Sequence, residues 1–305
     1  MQDQSTLGES HGTGLTRASQ TEGERALLAD PDLPGLLLAV AEPIARAAGA
    51  LAARRRREGL SVAATKSSLT DVVTAADREV EAFVRAELAR ERPDDGFFGE
   101  ESGEAGSRSG IHWVVDPVDG TVNYLYGHAA YAVSIAAVVG EPGDEPVTYD
   151  ALAAVVFAPD AGELFLATRG GGATRNGEPI SASDADALGS SLVGTGFSYV
   201  PEERAAQARA WADLAPSVRD LRRIGAASLD LCGVACGRLD GYYEQGTNPW
   251  DHAGGALVAR ESGAVVTGIR ADREGRVGIV AAAPGIAEAL RAAVGESFAR
   301  AGLQS

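Results

Sequence analysis

Between Pro34 and Arg57 the apolar residues Leu36, Val40, Ile44, Ala47 and Leu51 recur every three or four positions, which predicts an amphipathic helix. Its end falls in the run Arg54 to Arg57 before Gly59. Basic residues complement the dipole of a last turn, so this run reads as a solvated helix end. A second helix is expected after Thr74, with Val80, Phe83, Val84 and Leu88 facing inward. The period then changes. "IHWVV" from Ile111, "YAVSIAAVV" from Tyr131, "ALAAVVF" from Ala151 and "ELFLA" from Glu163 are short apolar runs. Several have too few polar positions to leave one face in water, which predicts strands covered on both sides. Helices are expected near 203–215, 227–238, 251–262 and 285–300, with strands near 190–197 and 277–283 between them. Helices first, a strand-rich middle, then alternation suggest an α+β fold of stacked sheets and helices. The glycines of "TRGGGATRNGEPI" lack the G-x-G-x-x-G spacing and a following helix, so they read as turns between short strands.

Composition narrows the class. The first thirty residues are polar and read as a disordered tail, because they lack the apolar content to pack. The whole chain of 305 residues is 45% hydrophobic and 23% charged, in the ordinary globular range. A formal charge of −16 argues against nucleic-acid partners and against an anionic membrane surface. No signal peptide or long apolar segment is read, so the cytoplasm is the expected compartment. Cys232 and Cys236 have no further Cys or His partners at metal-site spacing and read as buried helical thiols.

Acidic residues carry the candidate chemistry. "GFFGEES" presents Glu100 and Glu101 after an apolar pair, "DPVDGTVN" presents Asp116 and Asp119 where a strand gives way to a turn, and Asp251 opens a helix in "NPWDHAGGALVARESGA". Each has a plain alternative: turn-capping Asp–Pro and Asp–Gly pairs, an exposed loop acid, a helix first-turn residue. Together they offer hard oxygen ligands from separate segments, which suits magnesium rather than zinc. The four histidines add little. His252 is beside Asp251 and reads as a helix-surface residue.

At this point the chain resembles the inositol monophosphatase family of lithium-sensitive, magnesium-dependent phosphatases. The resemblance is carried in order by "KSSLTDVVTAADREVE", "GEES", "DPVDGTVNYLYG", "RRIGAASLDLCGVACGRLDGYYEQG" and "WDHAGGALVARESGA", over roughly residues 34–300. It implies a layered α-β-α-β-α sandwich, with an N-terminal half over 31–185 and a C-terminal half over 186–302. It implies two or three Mg2+ ions held by Glu100, Asp116, Asp119, Asp251 and the backbone carbonyl of Val118. Asp77 and Thr121 are the expected water-activating pair, with Glu100 and the loop residue Lys66 also catalytic. Gly120 and Thr121 would receive the phosphate through their amides, and Ala227, Glu244 and Asp251 would contact the substrate, with Arg222 beside Glu244.

The resemblance further implies hydrolysis of a phosphorylated polyol, most simply inositol 1-phosphate, by a homodimer without a phosphoenzyme. Fructose 1,6-bisphosphate, histidinol phosphate and adenosine 3′,5′-bisphosphate are the alternative substrates, and a non-catalytic regulatory binding role is the alternative from another class. Two positions depart from the common pattern. Leu69 stands where many members have proline, and "TNP" precedes Trp250.

Overall fold

The computed structural model describes residues 20–63, 69–143, 148–269 and 278–303, with only the backbone described for 60–63 and 69–74. Lys66 lies outside the described residues. The first element among the described residues is α1 (Glu22–Ala29), part of the stretch expected to be disordered. Local chemistry explains the difference. The Thr21 hydroxyl accepts the Glu24 amide while the Glu24 carboxylate accepts the Thr21 amide at 2.7 Å, a reciprocal cap that starts a helix without much apolar content.

α2 (Leu33–Ala63) and α3 (Leu69–Glu91) lie together on one face of the first sheet. The buried stripe of α2 is Leu37, Ala41, Ile44, Ala48, Leu51 and Ala52, whereas Leu36 is 63% exposed. The stripe is thus shifted from the expected one, because alanines let the helix pack close to the sheet. By length and composition Leu33–Gly59 could cross a membrane, which corrects the expectation that no such segment exists. Half of it is buried here, with α2 packed on α3 and on one face of the first sheet.

The first sheet contains β1 (Gly96–Gly99), β2 (Gly103–Ala105), β3 (Ile111–Asp119), then, after the short α4 (Thr121–Tyr126), β4 (Ala132–Val139), β5 (Asp150–Ala158), β6 (Glu163–Thr168), β7 (Gly172–Arg175) and β8 (Glu178–Pro179). Its order is β2-β1-β3-β4-β5-β6-β7-β8. Every residue of β3 and β4 is buried, as the apolar runs within them predict, and His112, Asp116 and Asp119 of β3 are buried with them.

Past residue 191 come β9 (Leu192–Thr195), α5 (Pro201–Leu214), β10 (Asp220–Arg222), α6 (Ala227–Ala235), β11 (Gly241–Glu244), α7 (Pro249–Glu261), β12 (Val265–Thr267), β13 (Ile279–Ala282) and α8 (Ala287–Ala301). These strands form a second sheet in the order β10-β9-β11-β13-β12. α6 and α7 are packed between the two sheets, while α5 and α8 cover the far face of the second. The layers therefore run α-β-α-β-α, the architecture expected.

Two glycines bring α7 close to its neighbours. A Cβ on Gly254 would lie 2.5 Å from Ser134 Oγ, and one on Gly255 would lie 2.7 Å from Leu231 Cβ and 2.9 Å from the Ser228 carbonyl. The N-terminus of α7 is thereby seated deep between β4 and α6.

Candidate active site

The register of β3 against β4 decides where two of the acids point. Asp116 is opposite Ser134 and Asp119 opposite Ala132, so an extra residue is accommodated on β3. In a regular strand, residues three apart face opposite sides. The bulge cancels that alternation, and both carboxylates line one cleft. The Val118 amide donates to Asp116 Oδ1 at 3.0 Å, which fixes the bulged turn.

The chain then reverses at Gly120, whose φ of 89° is left-handed; a Cβ there would lie 2.8 Å from the Ala130 carbonyl. Thr121 opens α4 and donates its hydroxyl to the Val118 carbonyl at 3.2 Å. The far end of α4 is held by Arg56, which donates to the carbonyls of Tyr124 at 2.9 Å and His128 at 2.7 Å and forms an ion pair with Asp160. Arg56 is only 7% exposed, and α2 continues past it, so the run does not end the helix and Arg56 is not solvated, although Arg54 and Arg57 are exposed as expected.

The remaining acids come from other elements. Glu100 follows β1. Asp251 is in the first turn of α7, with its Oδ2 accepting the Asn248 amide at 2.5 Å. Phe98 and Trp250, the neighbours of these two regions, stack at 5.3 Å. Glu244 ends β11 and accepts the Tyr242 hydroxyl at 2.5 Å. Asp119 accepts the amides of Ala227 at 3.1 Å and Ser228 at 2.7 Å, together with the Ser228 hydroxyl. Glu100, Asp116, Asp119, Gly120, Thr121, Ala227, Glu244 and Asp251 all line this cleft of about 400 Å³. Asp77 is buried on α3, and its Oδ1 has no hydrogen-bond partner among the described residues.

Burial, and after it the crowding of like charges, raises the carboxyl pKa values. Burial, then Glu100 and Glu101, pushes Asp77 up to about 8. Burial, then Glu101 and Asp119, pushes Glu100 up to about 7. Burial raises Asp116 and Asp251 well above the carboxylate range. Glu244 rises to about 7, again through burial. Asp119 is pushed only to about 6, because Ser228, Ala227 and Gly120 donate to its charged form. Converging acids, the orphaned Oδ1 of Asp77 beside them and no thiolate among them fit hard divalent cations, which would compensate the charge that desolvation disfavours.

Several details differ from the sequence reading. Ala227 lines the cleft, but its amide is engaged by Asp119 rather than open to a substrate. Arg222 pairs with Asp220 at 2.5 Å, and it is Arg223 that lines the cleft and faces Glu244. His252 is fully buried, with Nδ1 at 3.4 Å from the Tyr149 hydroxyl, because the α7 face carrying it packs on the first sheet. Sequence reasoning also missed Ser228, Tyr242 and Glu81. Glu81 is buried and accepts the Glu101 amide at 2.8 Å, steadying the loop that carries Glu100. Only its place on the inner side of the second predicted helix could have signalled it.

Comparison with known proteins agrees with this geometry. The model of the inositol monophosphatase family matches residues 36–299. The chain belongs to the inositol monophosphatase family. It is 44% identical over 283 residues to the inositol-1-monophosphatase of Mycobacterium leprae, covering 86% of this chain and 94% of that one. The solved structure of Mycobacterium tuberculosis SuhB superposes with a TM-score of 0.73 at 41% identity, over 87% of this chain and 97% of that one. A protein of Xylella fastidiosa named Nus factor SuhB is 41% identical over 224 residues, covering 73% of this chain and 78% of that one. As a member of the inositol monophosphatase family at this identity, the chain is a phosphatase.

Proposed function

We propose that this phosphatase is a magnesium-dependent inositol-1-monophosphatase, releasing myo-inositol and inorganic phosphate. The observation that carries the reading is the convergence of Glu100, Asp116, Asp119 and Asp251 on one cleft that Glu244 also lines. In this proposal Glu100, Asp116, Asp119, Asp251 and the Val118 carbonyl hold two or three Mg2+ ions. Bound there, the cations would neutralise phosphoryl charge and would make a water acidic enough to attack near neutral pH.

The chain's own groups do the rest. The Thr121 hydroxyl and the Asp77 carboxylate orient the attacking water, and Asp77, ionised once the cations offset the repulsion from its acidic neighbours, takes up its proton. The amides at the start of α4 approach the phosphate, as the left-handed Gly120 permits. Glu244 accepts hydrogen bonds from the polyol hydroxyls, held in orientation by Tyr242. A carboxylate there disfavours a second phosphate, which selects a monoester of a neutral polyol over a bisphosphate.

The test is phosphate release from inositol 1-phosphate, fructose 1,6-bisphosphate, histidinol phosphate and adenosine 3′,5′-bisphosphate, each with and without Mg2+. Highest kcat/KM on inositol 1-phosphate, abolished by chelation and by Asp116→Asn, supports the reading. Higher efficiency on another of these substrates would replace the substrate assignment, and full activity in chelator would overturn the metal assignment. The name of the Xylella relative favours a second reading, a regulatory binding role. That role needs no carboxylate set, so it predicts that Asp116→Asn leaves function intact.

A further inference from the structure

A second group of potential ligands lies apart from the cleft. One carboxylate oxygen each from Glu104 and Glu141 and a ring nitrogen of His112 lie within 4.8 Å of one another. Glu104 is on β2, His112 is the second residue of β3, and Glu141 follows the end of β4. β1 stands between β2 and β3, so the contact needs a gap in its side chains. The residue of β1 opposite His112 is Gly96. A Cβ on Gly96 would lie 2.3 Å from His112 Cδ2 and 2.8 Å from its Nε2. The imidazole therefore lies over the bare backbone of Gly96, and the missing side chain lets it reach across β1.

His112 is 4% exposed, and its buried Nδ1 has no hydrogen-bond partner among the described residues. Burying an imidazole without a partner is unfavourable unless something compensates. Glu104 and Glu141 are exposed and form no ion pair among the described residues. We propose that Glu104, His112 and Glu141 form a separate site for a zinc-class divalent cation. The donor set decides the class. An imidazole with two carboxylates suits Zn2+, Co2+ or Mn2+, whereas the cleft around Asp116, built of oxygen donors, suits Mg2+.

Ligand bonds of about 2.0–2.2 Å require the donors to approach more closely than 4.8 Å, and the two solvent-facing carboxylates can rotate to do so. His112 and Asp116 are four residues apart on one strand, roughly 13 Å at the usual rise, so the sites are distinct. An ion here would join β2, β3 and the turn after β4 around β1, the strand that leads into Glu100. It clamps the sheet edge and takes no part in the phosphoryl transfer.

The experiment is a Co2+ titration, followed by visible absorption, of the full chain carrying Asp116→Asn in excess Mg2+. That background keeps cobalt out of the cleft and makes the result independent of the proposed substrate. One equivalent with d–d bands is expected, with Glu104→Gln/Glu141→Gln weakening binding at least tenfold and His112→Asn abolishing it. In the otherwise wild-type chain, Glu104→Gln/Glu141→Gln should leave Mg2+-supported phosphatase activity unchanged, while Zn2+ raises the Tm of the parent and not of this variant. Absence of cobalt binding, or equal binding by the exposed-glutamate variant, overturns the site. Because both glutamates are at the surface, their replacement tests the proposal even if His112→Asn fails to fold.

Discussion

Ser228 donates both its amide, at 2.7 Å, and its hydroxyl to the same oxygen of Asp119, across 109 positions of sequence. The contact joins the last residue of β3 in the first sheet to the first turn of α6 in the middle layer. A carboxylate at the start of a helix is favoured by the free amides there, which is why Asp119 keeps a lower pKa than its neighbours. Ser228→Ala removes one donor and leaves both amides. The expected outcome is a rise of roughly 10–100-fold in the Mg2+ concentration for half-maximal activity, with an unchanged circular dichroism spectrum. Half-saturation equal to wild type would show that the hydroxyl does not tune the carboxylate.

Arg56 connects α2 to the end of α4 and to Asp160, with its guanidinium 5.0 Å from the centre of the Tyr131 ring. Arg56→Met keeps the apolar stem but strands buried carbonyls and a partly buried carboxylate. Urea unfolding should show a loss of about 3 kcal/mol, as for other broken buried pairs. A loss below about 0.5 kcal/mol, the range of ordinary surface changes, would contradict the role given to Arg56.

The acid cluster makes the metal-free protein sensitive to alkali. Asp77, Glu100, Asp119 and Glu244 have folded pKa values raised to about 8, 7, 6 and 7 by burial and mutual repulsion. The unfolded chain releases those protons near pH 4, so raising the pH favours unfolding. The stability these groups contribute is therefore complete below about pH 4 and lost as the pH rises towards 8. In chelator, Tm should fall by at least about 5 °C between pH 5.5 and 8.5, and saturating Mg2+ should restore most of it at the higher pH. A Tm that rises over that interval in chelator would reverse the sign of the argument.

Glu244 is half-buried, accepts the Tyr242 hydroxyl and lines the same cleft as Arg223. Glu244→Gln preserves the shape and removes one strong acceptor. Turnover of inositol 1-phosphate should fall about 10–100-fold in kcat/KM, while p-nitrophenyl phosphate, which has no hydroxyls to bind, should change little. Equal losses on both substrates would assign Glu244 to the metal site instead.

Much of this molecule is readable from neighbouring residues alone. The helices α5, α6, α7 and α8 and the strands β9 and β13 fall where periodicity put them, because period and end signals are local properties. α1 was equally local, since Thr21 and Glu24 have capping-box spacing, but its polar composition concealed it. The three-residue strands β10 and β12 carry too few residues to display a period. The acidic motifs named the cleft residues without any contact information. Three-dimensional packing decided the rest. One extra residue in the pairing of β3 with β4 turned Asp116 and Asp119 to the same side, a property of register rather than of composition. Arg56 and His252 looked like surface residues, and partners 68 and 103 positions away made them interior ones. Whether a polar side chain is buried depends on which distant groups satisfy it, and that information exists only once the chain has folded.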